Sequence, residues 1–223
     1  MPEPFIRPIE PLHDLDACLH IFFATIDKGV DFEPARTIGS YVWCRPYLLL
    51  SPETCVVLDD GSGQAVGYII GTESTSTFVK KWRNEYIPTL DPTFVPRPDE
   101  PNEDDPNEPK ILKYVRRAVY DPEGNLLQKS APTLLKQYPA HFHIDILPKY
   151  QNKGYGLKLM ATFLNKIKDL GAGGVHLGMV AENRDARRFY ERSGFRLFGE
   201  VMDSGESGEV GRTGDAIFMV KSF

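Results

Sequence analysis

The sequence has few cysteines and no long hydrophobic run. Its three cysteines, Cys18, Cys44 and Cys55, lack the spacing of metal ligands, and so small a number is typical of a reducing compartment. We expect all three to be buried thiols. No apolar stretch approaches the ~20 residues that cross a bilayer, and the first residues lack the basic and apolar segments of a signal peptide. These absences predict a cytoplasmic or nuclear protein with no membrane partner.

Basic residues are also fewer than acidic ones. The chain has 26 Lys and Arg against 31 Asp and Glu, and the net charge of -5 argues against nucleic acid as a partner. The 223 residues suit one domain with a substantial core, so a single domain over residues 1–223 is predicted. An acidic, proline-rich insertion around residues 88–110 interrupts the pattern. It is either a solvated loop or a surface that attracts a cationic substrate.

The most informative stretch is a strand, a glycine-containing loop and a helix in succession. An apolar run from Phe142 to Leu147 alternates with polar residues, which predicts a strand. Apolar residues then recur at helical spacing from Leu157 to Ile167, and Gly171 provides a helix stop. Residues 151–156, which read QNKGYG, therefore form the turn from the strand to the helix.

That turn has the composition of an anion-binding loop. Gly154 and Gly156 leave the backbone free to curl. The N–H groups of residues 152–157 can then converge on one anion, and the amino-terminal end of the helix adds partial positive charge. Lys149, Lys153 and Lys158 supply further positive charge, unless they are simply solvated. The loop predicts either a pyrophosphate site or an ordinary tight turn.

A second motif follows and narrows these alternatives. Val175 to Val180 reads as another buried strand, and Asn183 can cap a helix that runs to about Ser193. The chain thus carries Q-x-x-G-x-G and, about thirty residues later, N-x-x-A-x-x-F-Y-x-x-x-G-F. This pair of motifs resembles the acetyl-CoA core of the GNAT N-acetyltransferases, densely over residues 138–200. A Rossmann domain is disfavoured, because the loop comes late in the chain and lacks a third glycine.

A narrower resemblance covers more of the chain. Gly67–Thr72 and Phe78–Lys81 precede Tyr138-Pro139, Asp145 and Phe189-Tyr190 in an order similar to the acetyltransferase-like domain of O-GlcNAc hydrolases and its stand-alone microbial relatives. In animals that domain is regarded as a pseudo-acetyltransferase with a degraded cofactor loop. This chain keeps both loop glycines, so the resemblance implies an active N-acetyltransferase. The alternative is a pseudo-acetyltransferase that binds a cofactor or a partner.

The resemblance also implies the fold and the substrates. We expect a mixed α/β GNAT fold, in which a central mixed sheet of about seven strands is flanked by helices. The strands at 142–147 and 175–180 should be parallel neighbours, because a helix crosses between them. The implied co-substrate is acetyl-CoA, and the implied acceptor is a primary amine on a small molecule or a peptide. The chain is expected to be a monomer or a homodimer.

The cofactor residues implied by the resemblance come from the strand, the loop and the capping asparagine. Ile146 and Leu147 are expected to bind the pantetheine arm through unpaired backbone groups, and Asn183 matches the family's asparagine that contacts the same arm. The complete set is Ile146, Leu147, Gln151, Asn152, Lys153, Gly154, Tyr155, Gly156, Leu157, Lys158 and Asn183.

Two side chains are implied to carry out the chemistry. Tyr190 matches the tyrosine that protonates the leaving thiolate, and Asp145 matches an aspartate that we expect to act as general base. Alternation along the strand would place His141, His143 and Asp145 on one face. His141, His143 and His176 remain alternatives for the base. These histidines lack zinc spacing, so no metal is predicted. No cysteine lies in the core stretch, so we expect direct attack of the amine without an acyl-enzyme.

The remaining elements are predicted from periodicity and turn residues. They are strands over 5–9, 54–58, 65–71, 196–202 and 216–220, helices over 14–26, 34–49 with a break near Pro46, 74–86 and 111–119, and a turn over 121–125.

Overall fold

The computed structural model describes residues 3–98, 108–127, 131–198 and 216–223. The strands are β1 (Phe5–Pro8), β2 (Val56–Asp59), β3 (Ala65–Thr72), β4 (Ala140–Ile146), β5 (Gly174–Val180), β6 (Arg196–Leu197) and β7 (Ala216–Ser222). The helices are α1 (Pro11–Thr25), α2 (Ala35–Trp43), α3 (Arg45–Leu50), α4 (Thr75–Lys81), α5 (Lys110–Tyr120), α6 (Pro122–Leu126), α7 (Pro132–Gln137), α8 (Tyr155–Asp169) and α9 (Arg184–Arg192). In these ranges no helix is long and apolar enough to cross a membrane.

The strands of the described chain form one seven-stranded sheet, in the order β1-β2-β3-β4-β5-β7-β6. β4 and β5 are parallel, and the other neighbouring strands are antiparallel. α8 connects the end of β4 to the start of β5, which is the crossover that a parallel pair requires. The predicted mixed sheet, and the parallel pairing of the segments at 142–147 and 175–180, are confirmed.

β4 sends its side chains alternately into two layers on opposite faces of the sheet. Phe142 and Ile146 pack with the apolar residues of α8 and the aromatic residues of α9. His141 and His143 lie on the other face, where both contact Tyr47 of α3. That second layer is formed by α1 to α5. Regular alternation along the strand therefore places the polar residues of β4 together, as expected.

α8 is held against the sheet by an apolar stripe. Its buried residues are Leu159, Met160, Phe163, Leu164 and Ile167. Full burial of each such side chain contributes roughly 1.5–3 kcal/mol, which exceeds what intrinsic helix propensity supplies. Gly171, with a φ of 91°, follows the last turn and ends the helix in the left-handed conformation. The stripe fixes α8, and with it the loop that precedes the helix, above the end of β4.

The structure corrects three local predictions, and helix capping and backbone geometry give the reasons. The predicted turn at 121–125 is the short helix α6, because the Asp121 carboxylate accepts the N–H of Gly124 and Pro122 occupies the first position. The predicted helix over 74–86 changes after Lys81 into a π-helical turn. The strand predicted from residue 54 begins at Val56, because a 3₁₀ turn precedes it.

Two further predictions fall partly or wholly outside the described residues. The strand predicted over 196–202 is present as β6 at Arg196–Leu197, and residues 199–202 lie beyond the described range. The acidic residues at 99–107 of the predicted insertion lie outside it as well. Its carboxyl-terminal end is described, and there Glu108 forms an ion pair with Arg116 of α5 at 2.6 Å.

Gly71 of β3 is expected not to tolerate alanine. A Cβ atom at this position would overlap the carbonyl oxygen of His141 and lie 2.7 Å from Cβ of Phe142 and 2.8 Å from Cζ of Phe163. Because the carbonyl belongs to the paired strand, Gly71→Ala should lower the free energy of unfolding by about 1–3 kcal/mol. Gly178→Ala in β5 is the control, since its nearest neighbour is a Phe218 ring atom at 3.5 Å. Denaturant titration that gives equal losses for both variants would contradict this packing.

Candidate active site

The site begins where β4 and β5 separate. The two strands pair at Ala140 with Val175 and at His141 with His176, and no pairing is described further along them. Both strands continue in the same direction, so their carboxyl-terminal halves border a gap in the sheet. α8 and its loop follow β4 at this end, and α9 follows β5. The fold therefore brings the two sequence motifs to the same edge of the sheet.

The backbone of β4 presents alternate groups to this gap. The N–H of Leu147 donates to the carbonyl of Val66 at 2.9 Å, so alternation directs the backbone of Ile146 and Ile144 away from β3 and towards the gap. The carbonyl of Ile146 accepts a hydrogen bond from the Gln151 amide at 2.7 Å. The Leu147 N–H is therefore engaged with β3 and is not one of the unpaired backbone groups expected here. The N–H of Ile146 remains the group that faces the gap.

The loop before α8 contains two residues in the left-handed conformation. Asn152 has a φ of 58° and Gly154 a φ of 83°. Gly154 is the N-cap residue directly before α8, and a Cβ atom there would meet no atom within 4 Å. The first N–H groups of a helix have no intrahelical acceptor, so those of residues 154–157 are available to a ligand. The geometry is that of an exposed turn with its donors directed outward.

Gly156 has a different role from Gly154. A Cβ atom at Gly156 would lie 3.2 Å from Cε2 of Phe189 and 3.7 Å from Cδ1 of Ile146. The absence of a side chain therefore allows α9 to pack against the first turn of α8. This contact couples the loop before α8 to the helix that carries Tyr190.

Lysines surround the loop. The ammonium groups of Lys149 and Lys153 lie 5.5 and 5.7 Å from the centre of the Tyr150 ring, and that of Lys158 lies 5.5 Å from the Tyr155 ring. Such placement over an aromatic face holds each ammonium group close to the loop backbone. These cations favour an anionic ligand at the amino-terminal end of α8.

α9 positions two of the predicted residues. The Asn183 carbonyl accepts the N–H of Ala186 at 3.2 Å, so this side chain caps the helix and keeps its amide nitrogen for another partner. About two helical turns after Asn183, the Tyr190 ring packs against the rings of Phe142 and Phe195, at 6.2 and 5.8 Å between ring centres. Asn183 and Tyr190 both line the same cavity.

That cavity has a volume of about 440 Å³ and lies between the gap and the helical layer. Such a volume is in the range of sites for small ligands. One side is formed by β4, β5 and α9, and includes His143, Asp145 and Tyr190. The opposite side comes from α1 and the loop after it, α2 and α5, and includes Asp27, Trp43 and Tyr114.

Asp145 is held by residues from other elements. The Tyr68 hydroxyl, on the neighbouring strand β3, donates to its carboxylate at 2.7 Å. Burial raises the pKa of Asp145 above its usual range, while hydrogen bonds from Tyr68 and Thr25 act in the opposite direction. Burial also raises the pKa of Tyr68, so its hydroxyl stays a donor. Asp145 is thus an oriented carboxylate with an increased affinity for a proton.

The three histidines near the cavity are neutral. Burial lowers the pKa of His143 to about 4 and that of His176 to about 4, and it lowers the pKa of His141 well below its usual range. His176 donates from Nδ1 to the carbonyl of Tyr138 at 2.7 Å. In the described part of the chain no group of three or more His, Cys, Asp or Glu is placed to hold a metal ion.

Sequence reasoning missed the residues that hold the polar face of β4. Tyr47 contacts His141 from 94 residues away, and Tyr68 contacts Asp145 from 77 residues away. Tyr47 belongs to no local motif, and Tyr68 lies in the segment Gly67–Thr72 of the narrower resemblance, where it was given no role of its own. A correct register between β3 and β4 would have paired Tyr68 with Asp145, because the two are directly opposite each other. The position of Tyr47 depends on helix packing and leaves no signal in the sequence.

Known sequences support the motif-based resemblance. A sequence model of the family described as Acetyltransferase (GNAT) family matches residues 133–195. Protein O-GlcNAcase from the rat (Rattus norvegicus) is 26% identical over 149 residues, which make up 66% of this chain and 15% of that protein. The chain therefore corresponds to a small part of the length of this relative.

Solved structures extend the likeness to the whole fold. The crystal structure of SsHAT is 33% identical in sequence and has a TM-score of 0.73, covering 99% of this chain and 98% of that chain. The structure of yncA, a putative acetyltransferase from Salmonella typhimurium with its cofactor acetyl-CoA, is 15% identical and has a TM-score of 0.54, with 99% and 94% covered. The family match, the SsHAT structure similar over nearly its full length and the shared fold agree: the chain belongs to the GNAT acetyltransferase family.

Proposed function

We propose that this protein transfers an acetyl group from acetyl-CoA to a primary amine. The proposal rests on one observation, which is that three features lie together at one edge of the sheet. These are the gap between β4 and β5, the left-handed turn before α8 and the cavity lined by Asp145 and Tyr190. A thioester bound along the gap would have its pyrophosphate near the turn and its acyl group near the cavity.

The residues present fit acetyl-CoA as co-substrate. Its pyrophosphate would accept hydrogen bonds from the N–H groups of residues 152–157, with Lys149, Lys153 and Lys158 adding positive charge. The pantetheine amides would bind the backbone of Ile146 and the amide nitrogen of Asn183, which its capping bond leaves available. The acetyl-CoA in the yncA structure, which has a similar fold, supports this choice.

Direct attack by the amine is the chemistry that these side chains favour. A covalent route needs an activated nucleophile, and Cys18, Cys44 and Cys55 are all buried. Burial raises the pKa of each thiol, that of Cys55 to about 12, so the reactive thiolate is scarce. In the direct route, holding amine and thioester together supplies much of the acceleration.

Asp145 and Tyr190 would handle the protons of the reaction. The attacking nitrogen must lose a proton, and Asp145 accepts it directly or through water. The leaving sulfur gains a proton from the Tyr190 hydroxyl. Asp145 and Asp27 also make the cavity suitable for a cationic amine on a small molecule or a peptide. Asp145, which helps to bind the positive charge, is then also the group that accepts the proton.

Replacing Asp145 is expected to change the pH dependence of turnover. In the wild type, kcat should rise as Asp145 loses its proton, at a higher pH than for an ordinary carboxyl group because burial raises its pKa. Asparagine cannot accept a proton, so Asp145→Asn should flatten this rise and lower kcat by about 10²-fold. The measurement is kcat against pH at saturating amine.

Asp27→Asn is the matched control for this experiment. It removes a carboxylate that lines the same cavity, and the rise of kcat with pH should persist. A profile of unchanged shape in Asp145→Asn would assign the base to another group, with His141, His143 and His176 as the nearest alternatives.

A further inference from the structure

Four side chains behind the cavity form a continuous hydrogen-bonded chain. His143 Nε2 lies 3.2 Å from the Tyr47 hydroxyl, which lies 2.9 Å from His141 Nε2. His141 Nδ1 lies 2.7 Å from the Thr75 hydroxyl, and that hydroxyl lies 2.7 Å from the carbonyl oxygen of Pro139. The chain runs from the cavity into the core, and its last acceptor is a backbone carbonyl.

The terminal carbonyl fixes the direction of every bond. A carbonyl oxygen can only accept, so Thr75 donates to Pro139. The Thr75 hydroxyl has no second hydrogen, so His141 donates to it from Nδ1. His141 is neutral, so its Nε2 is unprotonated and accepts the hydrogen of Tyr47. The Tyr47 hydroxyl must then accept from His143, which carries its hydrogen on Nε2.

This assignment determines which nitrogen of His143 is basic. With the hydrogen on Nε2, the lone pair is on Nδ1. The ring lines the cavity, and among the described residues no group donates to Nδ1. Asp145 lies two residues further along the same face of β4. Two acceptors, one carboxylate and one imidazole nitrogen, therefore line the same part of the cavity.

We propose that His143 Nδ1 is a second acceptor for the attacking nitrogen, and that it makes the site selective for primary amines. The proposal rests on the proposed transferase function. A neutral primary amine has two N–H groups, one for Asp145 and one for His143. Both bonds together direct the nitrogen lone pair towards the thioester. An N-methyl amine has one N–H group and loses one of these bonds.

Tyr47 and His141 act as positioning residues in this arrangement. The Tyr47 ring is fixed by stacking on Phe78, at 4.7 Å between ring centres, and burial raises the pKa of its hydroxyl, so the hydroxyl keeps its hydrogen. The titratable groups that line the cavity with His143 are His141, His176, Tyr47, Tyr114, Tyr190, Asp27 and Asp145. The low pKa of His143 keeps the ring uncharged, so it does not repel a cationic substrate.

The kinetic test compares a primary amine with its N-methyl derivative. Tyr47→Phe keeps the ring but removes the hydroxyl, so His143 is free to take the other tautomer. We expect kcat/KM for the primary amine, divided by kcat/KM for its N-methyl derivative, to fall by about three- to tenfold. This factor corresponds to the loss of one hydrogen bond. His143→Phe should lower the same ratio. Tyr86→Phe is the control, because its hydroxyl bonds the Tyr41 carbonyl outside the cavity. An unchanged ratio in both cavity variants would overturn the proposal.

A spectroscopic test separates this proposal from the transferase function. In the wild-type protein, ¹⁵N NMR should report His143 with a protonated Nε2 and an unprotonated Nδ1, and adding propylamine should shift the Nδ1 signal. Tyr47→Phe should give a mixture of tautomers. A wild-type His143 protonated on Nδ1 would refute the inference even if acetyl transfer occurs. If the spectra are as expected but no acetyl transfer occurs, the transferase function alone is refuted.

Discussion

Replacing Gly154 or Gly156 with aspartate is expected to weaken acetyl-CoA binding by at least about a hundredfold. A carboxylate in the loop would face the pyrophosphate, and like charges brought together in an interface cost several kcal/mol. Gly154 has a φ of 83°, a conformation that other residues adopt at a cost. At Gly156 the added side chain would also press on Phe189, because its Cβ atom would lie 3.2 Å from that ring.

Gly171→Asp is the matched control for the loop variants. Gly171 has a φ of 91°, and a Cβ atom there would meet nothing within 4 Å, so it shares the backbone strain and open surroundings of Gly154. It lies at the opposite end of α8, away from the proposed pyrophosphate site. Isothermal titration calorimetry should give wild-type affinity for Gly171→Asp. Wild-type affinity in both loop variants would refute the placement of the cofactor.

Replacing Tyr190 with phenylalanine is expected to lower kcat by about one to three decades. The hydroxyl is lost, and with it the proton for the leaving thiolate, a contribution typical of general acid catalysis at ~10²–10⁴-fold. The ring contacts with Phe142 and Phe195 do not involve the hydroxyl and should persist. Acetyl-CoA affinity should therefore change little, which separates a loss of chemistry from a loss of binding.

The effect of Tyr190→Phe on the rate must be measured with an acceptor amine for which the chemical step limits turnover. Single-turnover measurements provide this, since product release does not contribute to them. Tyr41→Phe is the control, because Tyr41 is a half-buried tyrosine that does not line the cavity. A Tyr190→Phe variant with wild-type single-turnover rate would remove Tyr190 from the mechanism.

The sequence was most informative where a local pattern and a turn signal coincide. β4, α8, β5 and α9 were predicted with nearly their observed bounds, because periodicity, Gly171 and the Asn183 cap all act within a few residues. The role of Gly156 at the contact with Phe189 is a tertiary effect, and the motif alone did not reveal it.

The polar half of the site could not be predicted in the same way. His141, His143 and Asp145 were expected to share a face, since alternation is a local property. Their partners Tyr47 and Tyr68 come from α3 and β3, and only the packed structure brings them to β4. The same is true of Leu147, whose N–H is engaged by Val66 because β3 extends beyond the end of β4.

The most direct test of the central claim is acetyl transfer itself. The protein is incubated with acetyl-CoA and a panel of primary amines that includes alkyl amines, diamines and lysine peptides, and mass spectrometry quantifies free CoA and acetylated amine. The account predicts that CoA and acetyl amide form in equal amounts and that neither forms without an amine. A folded protein that binds acetyl-CoA and leaves it intact with every amine in the panel would contradict the account and would indicate a pseudo-acetyltransferase.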